Sequence, residues 1–173
     1  ARSVDEPHTA FADWTDRINN YAVADTSGHF RYLHEGRIPV RAETNGWAAV
    51  PGWTGAFEWD KGMIPHDELP TSIDPADGWA VTCNQRVTGA DYPYYVGLYM
   101  ASEHRARRVM ERLLDLHPGT ADLDDMAGIH ADRMSLPARA LVARLLRALE
   151  GETLAQPMQV AADVLRTWDG CMD

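Results

Sequence analysis

An α+β fold is what this sequence predicts, on three observations. A period-two pattern broken by a turn occupies the start of the chain. Prolines then recur at intervals too short for any long element, and from Pro93 onward apolar residues fall at helical spacing. Strands and long loops are therefore expected over residues 1–92 and helices over residues 93–173. The whole is one chain of 173 residues, enough to bury a sizeable core.

Residues 5–17 read as a short helix or capped turn with Phe11 and Trp14 three apart on one face. A hairpin follows. Tyr21, Val23 and Asp25 alternate with Ala22 and Ala24, the run Asp25-Thr26-Ser27-Gly28 makes the turn, and Phe30 to Leu33 return. Between residues 36 and 77, Pro39, Pro51, Pro65, Pro70 and Pro75 leave room for no long element. Trp47, Trp53 and Trp59 lie in that stretch and Trp79 follows it, so four of the six tryptophans sit on or beside irregular chain. Long irregular segments in compact domains tend to carry function.

Residues 78–84 read as a strand, with Trp79, Val81 and Cys83 on one side and Ala80, Thr82 and Asn84 on the other. The bulky side calls for burial. The small side ends in an amide, which suits a strand end opening on a cleft or a plain turn bond. A helix runs from about Ser102 to Leu116 on Val109, Leu113 and Leu116, and Pro118-Gly119 ends it. Thr120 reads as the next N-cap, with Asp122, Asp124 and Asp125 at the positive end of the helix dipole. Leu141, Leu145 and Leu149 mark a third helix, and Val160, Val164 and Trp168 a last one.

Composition excludes several classes of function. A formal net charge of −10 argues against nucleic acid or an anionic membrane surface as partner. No apolar run is long enough to span a bilayer, and no signal-like segment opens the chain. Cys83 and Cys171 allow one disulfide at most, and two reduced thiols are expected. The seven histidines form no His-x-x-x-His pair and no Cys-x-x-Cys is present, so no catalytic metal is expected. Neither a Gly-x-Ser-x-Gly elbow nor a phosphate-binding glycine loop occurs. The start on a helix-like segment and the end just after an amphipathic one read as the edges of an excised piece.

Five motifs in order carry a family resemblance. They are YAVADTSGHFRYLHEGRIPVR (21–41), VPGWTGAFEWDKGMIPHDELP (50–70), IDPADGWAVTCNQRV (73–87), DYPYY followed by HRARRVMERLL (91–114), and the pair HADRMSLPARAL and LRTWDG further on. Together they resemble the middle of the large β-chain of the penicillin acylase family of N-terminal nucleophile (Ntn) hydrolases. The resemblance implies that this chain is a segment of the four-layer αββα Ntn-hydrolase fold. It also implies that the tryptophan-rich loop packs over the sheet close to the active-site cleft.

Family chemistry transfers by position. The resemblance implies an amidase whose nucleophile is the first residue of the mature β-chain, a Ser using its own α-amine as base. That residue lies outside this chain, and Ser3, in a context unlike the family's, receives no role. Asn84 stands where the family's Asn donates its side-chain amide to the oxyanion. Arg105 matches the Arg that supports the site, and its place on the helical wheel beside Val109 and Leu116 predicts an inward side chain, with Arg107 pointing away. Gln85 stands where the family has a second Asn. Some members bind calcium through an Asp shortly after Tyr-Pro; Val96 stands there, which speaks against calcium, and no other cofactor is implied. The implied partners are a small acyl-amide substrate and the remaining α- and β-chains, in a secreted or periplasmic parent that matures by autoproteolysis. A non-catalytic binding or structural module on the same fold is the alternative.

Overall fold

The computed structural model describes residues 2–172 of the chain. They form two compact units, divided between Ala101 and Ser102. The first unit holds the strands, two short helices and long loops, and the second is built on four helices, so the expected α+β composition is what the chain adopts.

The first unit is built on a three-stranded antiparallel sheet in the order β1-β2-β3, with β1 at Asn19–Ala24, β2 at Phe30–Glu35 and β3 at Thr71–Ile73. The hairpin β1–β2 is the one read from the alternating pattern, and Tyr21 pairs with Leu33. Its turn closes because Asp25 Oδ1 accepts from the backbone amides of Ser27 (2.9 Å) and His29 (3.1 Å). The third strand escapes a sequence reading because three residues behind a proline show no period. Thr71 fixes it instead: its hydroxyl donates to the Tyr32 carbonyl (2.8 Å) and accepts from Arg31 Nε (3.2 Å).

Paired on both sides, β2 is the central strand and is covered on both faces. Tyr32 and His34 share one acceptor, Asn20 Oδ1, at 2.6 and 2.8 Å. Burial pushes the Tyr32 phenol up to about 12 and holds the His34 imidazole below its ordinary value. Arg31, Leu33 and Glu35 point to the opposite face. Helix α1, Asp5–Phe11, meets that face through Asp5, which pairs with Arg31 at 2.7 Å, and through His8. Phe11 stacks edge-on against Trp14 at 5.6 Å, as their spacing predicted.

The long irregular stretch is organised by a narrow β-bridge. Ile64 donates its amide to Ile38 (2.8 Å) and Val40 to Gly62 (2.9 Å), either side of a Pro39–Met63 bridge. This brings Ile38, Ile64 and Leu69 into one buried cluster, against which Val40, Tyr94 and Val96 pack. One helical turn, α2 at Thr44–Trp47, interrupts the loop that follows.

Residues 78–84 do not form a strand. Burial does alternate as predicted, with Trp79, Val81 and Cys83 half-buried and Ala80, Thr82 and Asn84 exposed. Among the described residues, however, no strand pairs with this segment, and a strand without a ladder has no stabilising partner. Its end is closed locally instead: Gln85 accepts from the Cys83 amide (2.6 Å) and donates to the Val81 carbonyl (2.8 Å).

The second unit comprises α3 (His104–Leu114), α4 (Leu123–His130), α5 (Leu136–Ala148) and α6 (Gln156–Thr167), with α5 touching α3 and α6. Asp122, not Thr120, caps α4. Its carboxylate accepts from the amides of Asp124 (2.9 Å) and Asp125 (3.0 Å), and Asp125 returns the bond to Asp122 (3.1 Å). Thr120 closes the preceding turn by donating to the His117 carbonyl (2.8 Å). The covered stripe of α3 runs Ala106, Val109, Met110, Leu113. Arg108 flanks it and forks onto Asp132 at 3.1 and 2.7 Å, which keeps the Asp132 carboxyl below its ordinary value. Ser135 caps α5, and the chain returns from α6 to lie against it through a Met134–Cys171 bridge. Cys83 and Cys171 are half-buried thiols.

A clamp at the far end of the sheet has a pH dependence that follows from its geometry. Asp74, left-handed at φ 42°, accepts from the Phe30 amide (2.8 Å) through one oxygen and bonds His29 Nδ1 (2.7 Å) through the other. The hydrogen bond from Asp74, then its charge, raises His29 above 6.5; the Phe30 amide, then His29, lowers Asp74 below 3.8. The His29 contribution is therefore complete below 6.5 and lost as pH rises through the raised value. The Asp74 contribution is present above 3.8 and lost as pH falls through the lowered one. Amide protection at Phe30 and Asp74, corrected for intrinsic exchange, is expected to be greatest between those limits and to weaken as pH rises through the raised His29 value. An His29 imidazole titrating by NMR at or below 6.5 would contradict the clamp.

Candidate functional site

A cleft of about 550 Å³ opens on the first unit between Arg41, the end of α2 and residues 95–100. Its inner wall is cationic and aromatic, since the Arg41 guanidinium lies 5.5 Å from the Tyr95 ring centre and 5.7 Å from that of Trp59. Gly46 lets the wall close. A Cβ there would meet the Tyr95 hydroxyl at 1.7 Å, so any other residue would push the Tyr95 ring out of this position. Arg41 Nε and the Tyr95 hydroxyl are buried without a hydrogen-bond partner among the described residues, a costly arrangement that a polar ligand or water relieves.

The tryptophan-rich loop reaches this cleft with Trp47, which lines it, and Trp59, which stacks under Arg41. It does not pack over the sheet within this chain. Trp47 is 66% exposed, Trp59 55% and Trp53 89%, because the loop is anchored through its backbone and Asn45, whose amide donates to Phe57 at 3.0 Å.

Asn84 does not line this cleft; it is joined through its backbone to the residue that follows the cleft-lining segment. Its backbone carbonyl accepts from the Ala101 amide (2.8 Å), directly after the cleft-lining residues 95–100. The backbone there is left-handed, with φ 64°, and Asn is one of the few residues that tolerate it. Gln85 and its two local bonds fix the turn, while the Asn84 side chain lies on the exposed side. The turn reading of Asn84 is the one its left-handed backbone carries.

Arg105 is in the second unit, in the first turn of α3, and is exposed. The expected inward orientation is corrected by the stripe that α3 buries: Ala106 is its most buried residue, and the arginine turned toward the rest of the unit is Arg108, which meets Asp132 after α4. Counting from Val109 and Leu116 set the wheel one position off, since Leu116 lies beyond the helix end. Arg107 points away as expected, pairing with Glu103 at 2.8 Å. Ser3 is half-exposed just before α1.

A second constellation was invisible in the sequence. His8 of α1 and His66 of a short 3₁₀ turn stack at 4.2 Å and grip Glu35 of β2 from both sides, each at 2.8 Å. Positions 8, 35 and 66 have no motif spacing. The one available signal was that Glu35 shares the inward parity of Leu33 on the return strand.

The comparisons with known proteins agree in direction. The penicillin amidase family model matches residues 1–173. Penicillin acylase 2 proenzyme of Pseudomonas sp. (strain SE83) is 39% identical over 173 residues, all of this chain and 22% of that protein. Acyl-homoserine lactone acylase QuiP of Pseudomonas fluorescens (strain Pf0-1) is 32% identical over 147 residues, 84% of this chain and 17% of that protein. The chain thus spans about a fifth of the length of these relatives. In fold it is similar to a thermostable penicillin G acylase from Alcaligenes faecalis, with a TM-score of 0.72 at 18% identity over 99% of this chain and 30% of that one.

The left-handed turn makes a stability prediction. Asn84→Ala is expected to cost about 1 kcal/mol more than Asn84→Gly, because Ala carries the Cβ penalty at positive φ and Gly does not. Equal melting temperatures for the two variants, in the natural protein that contains this chain, would contradict the conformation.

Proposed function

The chain belongs to the penicillin amidase family, and from that premise we propose that it is a segment of an amidase β-chain whose nucleophile lies outside it. The parent cleaves a linear amide between an acyl group and an amine. An N-terminal Ser attacks the carbonyl with its α-amine as base, the amine leaves, and water releases the acyl group. Asn84 donates its side-chain amide to the oxyanion of each tetrahedral intermediate; the supporting role of Arg105 rests on its family position alone. The catalytic steps require no cofactor from this chain.

The observation that carries the segment reading is exposed apolar surface. The chain exposes 12361 Å², more than the about 10000 Å² that two separate globular bodies of half its mass would show. Much of this is large side chains on helix faces, with Leu123 at 86% and Leu114, Leu141, Met158, Val160 and Val164 all more than half exposed. Faces of that kind are built to be covered. We assign the cover to the remaining α- and β-chains. No helix among the described residues is long and apolar enough to cross a membrane, and an exported, autoproteolytically matured parent is the reading that the family supports.

For the oxyanion role, the support is an Asn on an exposed turn whose backbone is fixed by its left-handed conformation and by Gln85 before any substrate arrives. A preorganised donor acts on the transition state more than on the bound substrate. Asn84→Gly removes the amide while keeping the backbone conformation, so it is the informative variant. In the full-length parent its kcat is expected to fall on the order of 10²–10³-fold, about 3–4 kcal/mol, with KM little changed. Gln85→Ala, which loosens the turn without removing the donor, is expected to fall less. An Asn84→Gly enzyme with unaltered kcat would leave Asn84 a turn residue only, and the non-catalytic reading would then gain.

The location of the nucleophile gives a separate test. The isolated 173-residue chain is expected to hydrolyse no chromogenic acyl-anilide and no penicillin above background. Turnover that copurifies with it and is abolished by Ser3→Ala would place the nucleophile inside this chain and refute the segment assignment.

A further inference from the structure

Glu35 is the most deeply buried acid of the first unit, 1% exposed, and it needs positive charge to be stable there. Arg31, the buried cation on the same strand face, is engaged with Asp5 and Thr71. Both carboxylate oxygens of Glu35 instead meet imidazole nitrogens: Oε1 meets His8 Nδ1 and Oε2 meets His66 Nε2, each at 2.8 Å. The two rings stack 4.2 Å apart with their planes within 19°, so the ring atoms facing Glu35 converge. One ligand atom from each residue lies within 4.8 Å of the other two.

We propose that His8, Glu35 and His66 form a binding site for a divalent transition-metal ion of the zinc class. Bonds from Zn²⁺ to His nitrogen and carboxylate oxygen are about 2.0–2.2 Å, which sets tetrahedral ligand atoms roughly 3.3–3.5 Å apart. The three donors bracket that separation, and small ring displacements open the space for the ion. Two imidazoles and one carboxylate suit zinc, nickel or iron(II); calcium and magnesium prefer all-oxygen shells. The ion takes over the charge balance of Glu35 and leaves at least one coordination position for water.

Access and anchoring are both present. A cleft of about 280 Å³ opens beside His66, Gly36 and Arg37, and the histidine side chains keep 20% and 26% exposure, enough for an ion to enter with its water. Glu35 is held by the strand ladder, and Gly36 locks the next residue: a Cβ there would meet Ile18 Cα at 2.9 Å, at φ 140°. The three ligands come from a helix, a strand and a loop that are 27 and 31 residues apart from Glu35 in sequence. An ion here cross-links the first unit in the way a structural site does, and the proposal does not depend on the amidase reading.

The test uses the natural protein that contains this chain, stripped with chelator and titrated with ZnCl₂ in the presence of excess calcium. Wild type is expected to hold one zinc more than His8→Gln or His66→Gln, each of which should lose more than about 100-fold in affinity for that equivalent. Its melting temperature should rise with zinc, and those of the variants should not. If a variant fails to fold, cobalt(II) in the wild-type protein decides: two paramagnetically shifted imidazole N–H or C–H sets assigned to His8 and His66 support the site. Zinc binding undiminished in both variants, no retained equivalent in wild type, or unshifted His8 and His66 resonances would overturn it.

Discussion

The first unit depends on one constraint: its central strand carries two charged side chains into the interior. Arg31 and Glu35 lie on the same face of β2 and are both buried. Stranding either charge there would cost several kcal/mol, so whatever packs on that face must bring a counter-charge or a hydrogen bond. The helix α1 has just seven residues and buries none of its own, so apolar burial contributes little to holding it. It is held because Asp5 answers Arg31 and His8 answers Glu35. The turn at His66 is drawn to the same carboxylate, and with it come Ile64 and Leu69 of the small apolar cluster. Polar specificity thus positions the long irregular stretch, and the few apolar residues consolidate it.

The second unit is organised the opposite way. Two of its four helices, α4 and α5, are capped locally, by the reciprocal Asp122–Asp125 box and by Ser135, so those two starts are fixed without tertiary help. One fork, Arg108 to Asp132, ties α3 to the stretch after α4, and Asp132 also accepts from the Met134 amide at 2.9 Å. What the unit lacks is apolar cover: just two alanines, Ala106 and Ala162, are the buried residues within its helices. Capped, amphipathic helices with exposed leucine and valine faces have strong local instructions and an unfinished core. On the segment reading proposed above, such faces would complete a larger layer.

Local chemistry was legible in the sequence and long-range pairing was not. The β1–β2 hairpin was readable because alternation and the Asp25–Gly28 turn agree, and the helices because apolar spacing, proline and acidic first turns agree. The strand β3 was hidden, since it exists through Thr71 bonding to Tyr32 across 39 residues. The segment 78–84 was read as a strand from correct parity, yet parity fixes which side chains are covered and not whether a partner ladder is present. A helical wheel that includes Leu116 turns Arg105 inward, but Leu116 lies past the end of α3. The His8–Glu35–His66 group needed three elements to meet, which no spacing rule encodes.

Asn84 shows why a residue's structural and chemical readings need not compete. A left-handed backbone at φ 64° selects for Gly, Asn or Asp; of these, only Asn brings neutral N–H donors. An acid there would repel a developing oxyanion and a glycine would offer it no side chain. The same local strain that makes Asn acceptable also fixes its Cα direction, and Gln85 braces the turn from within two residues. In the oxyanion role proposed above, a donor on a fixed backbone would lose little freedom when charge develops beside it, which is the condition for an amide to act on a transition state and not merely on a bound ligand. On that reading the turn would be the means of preorganisation.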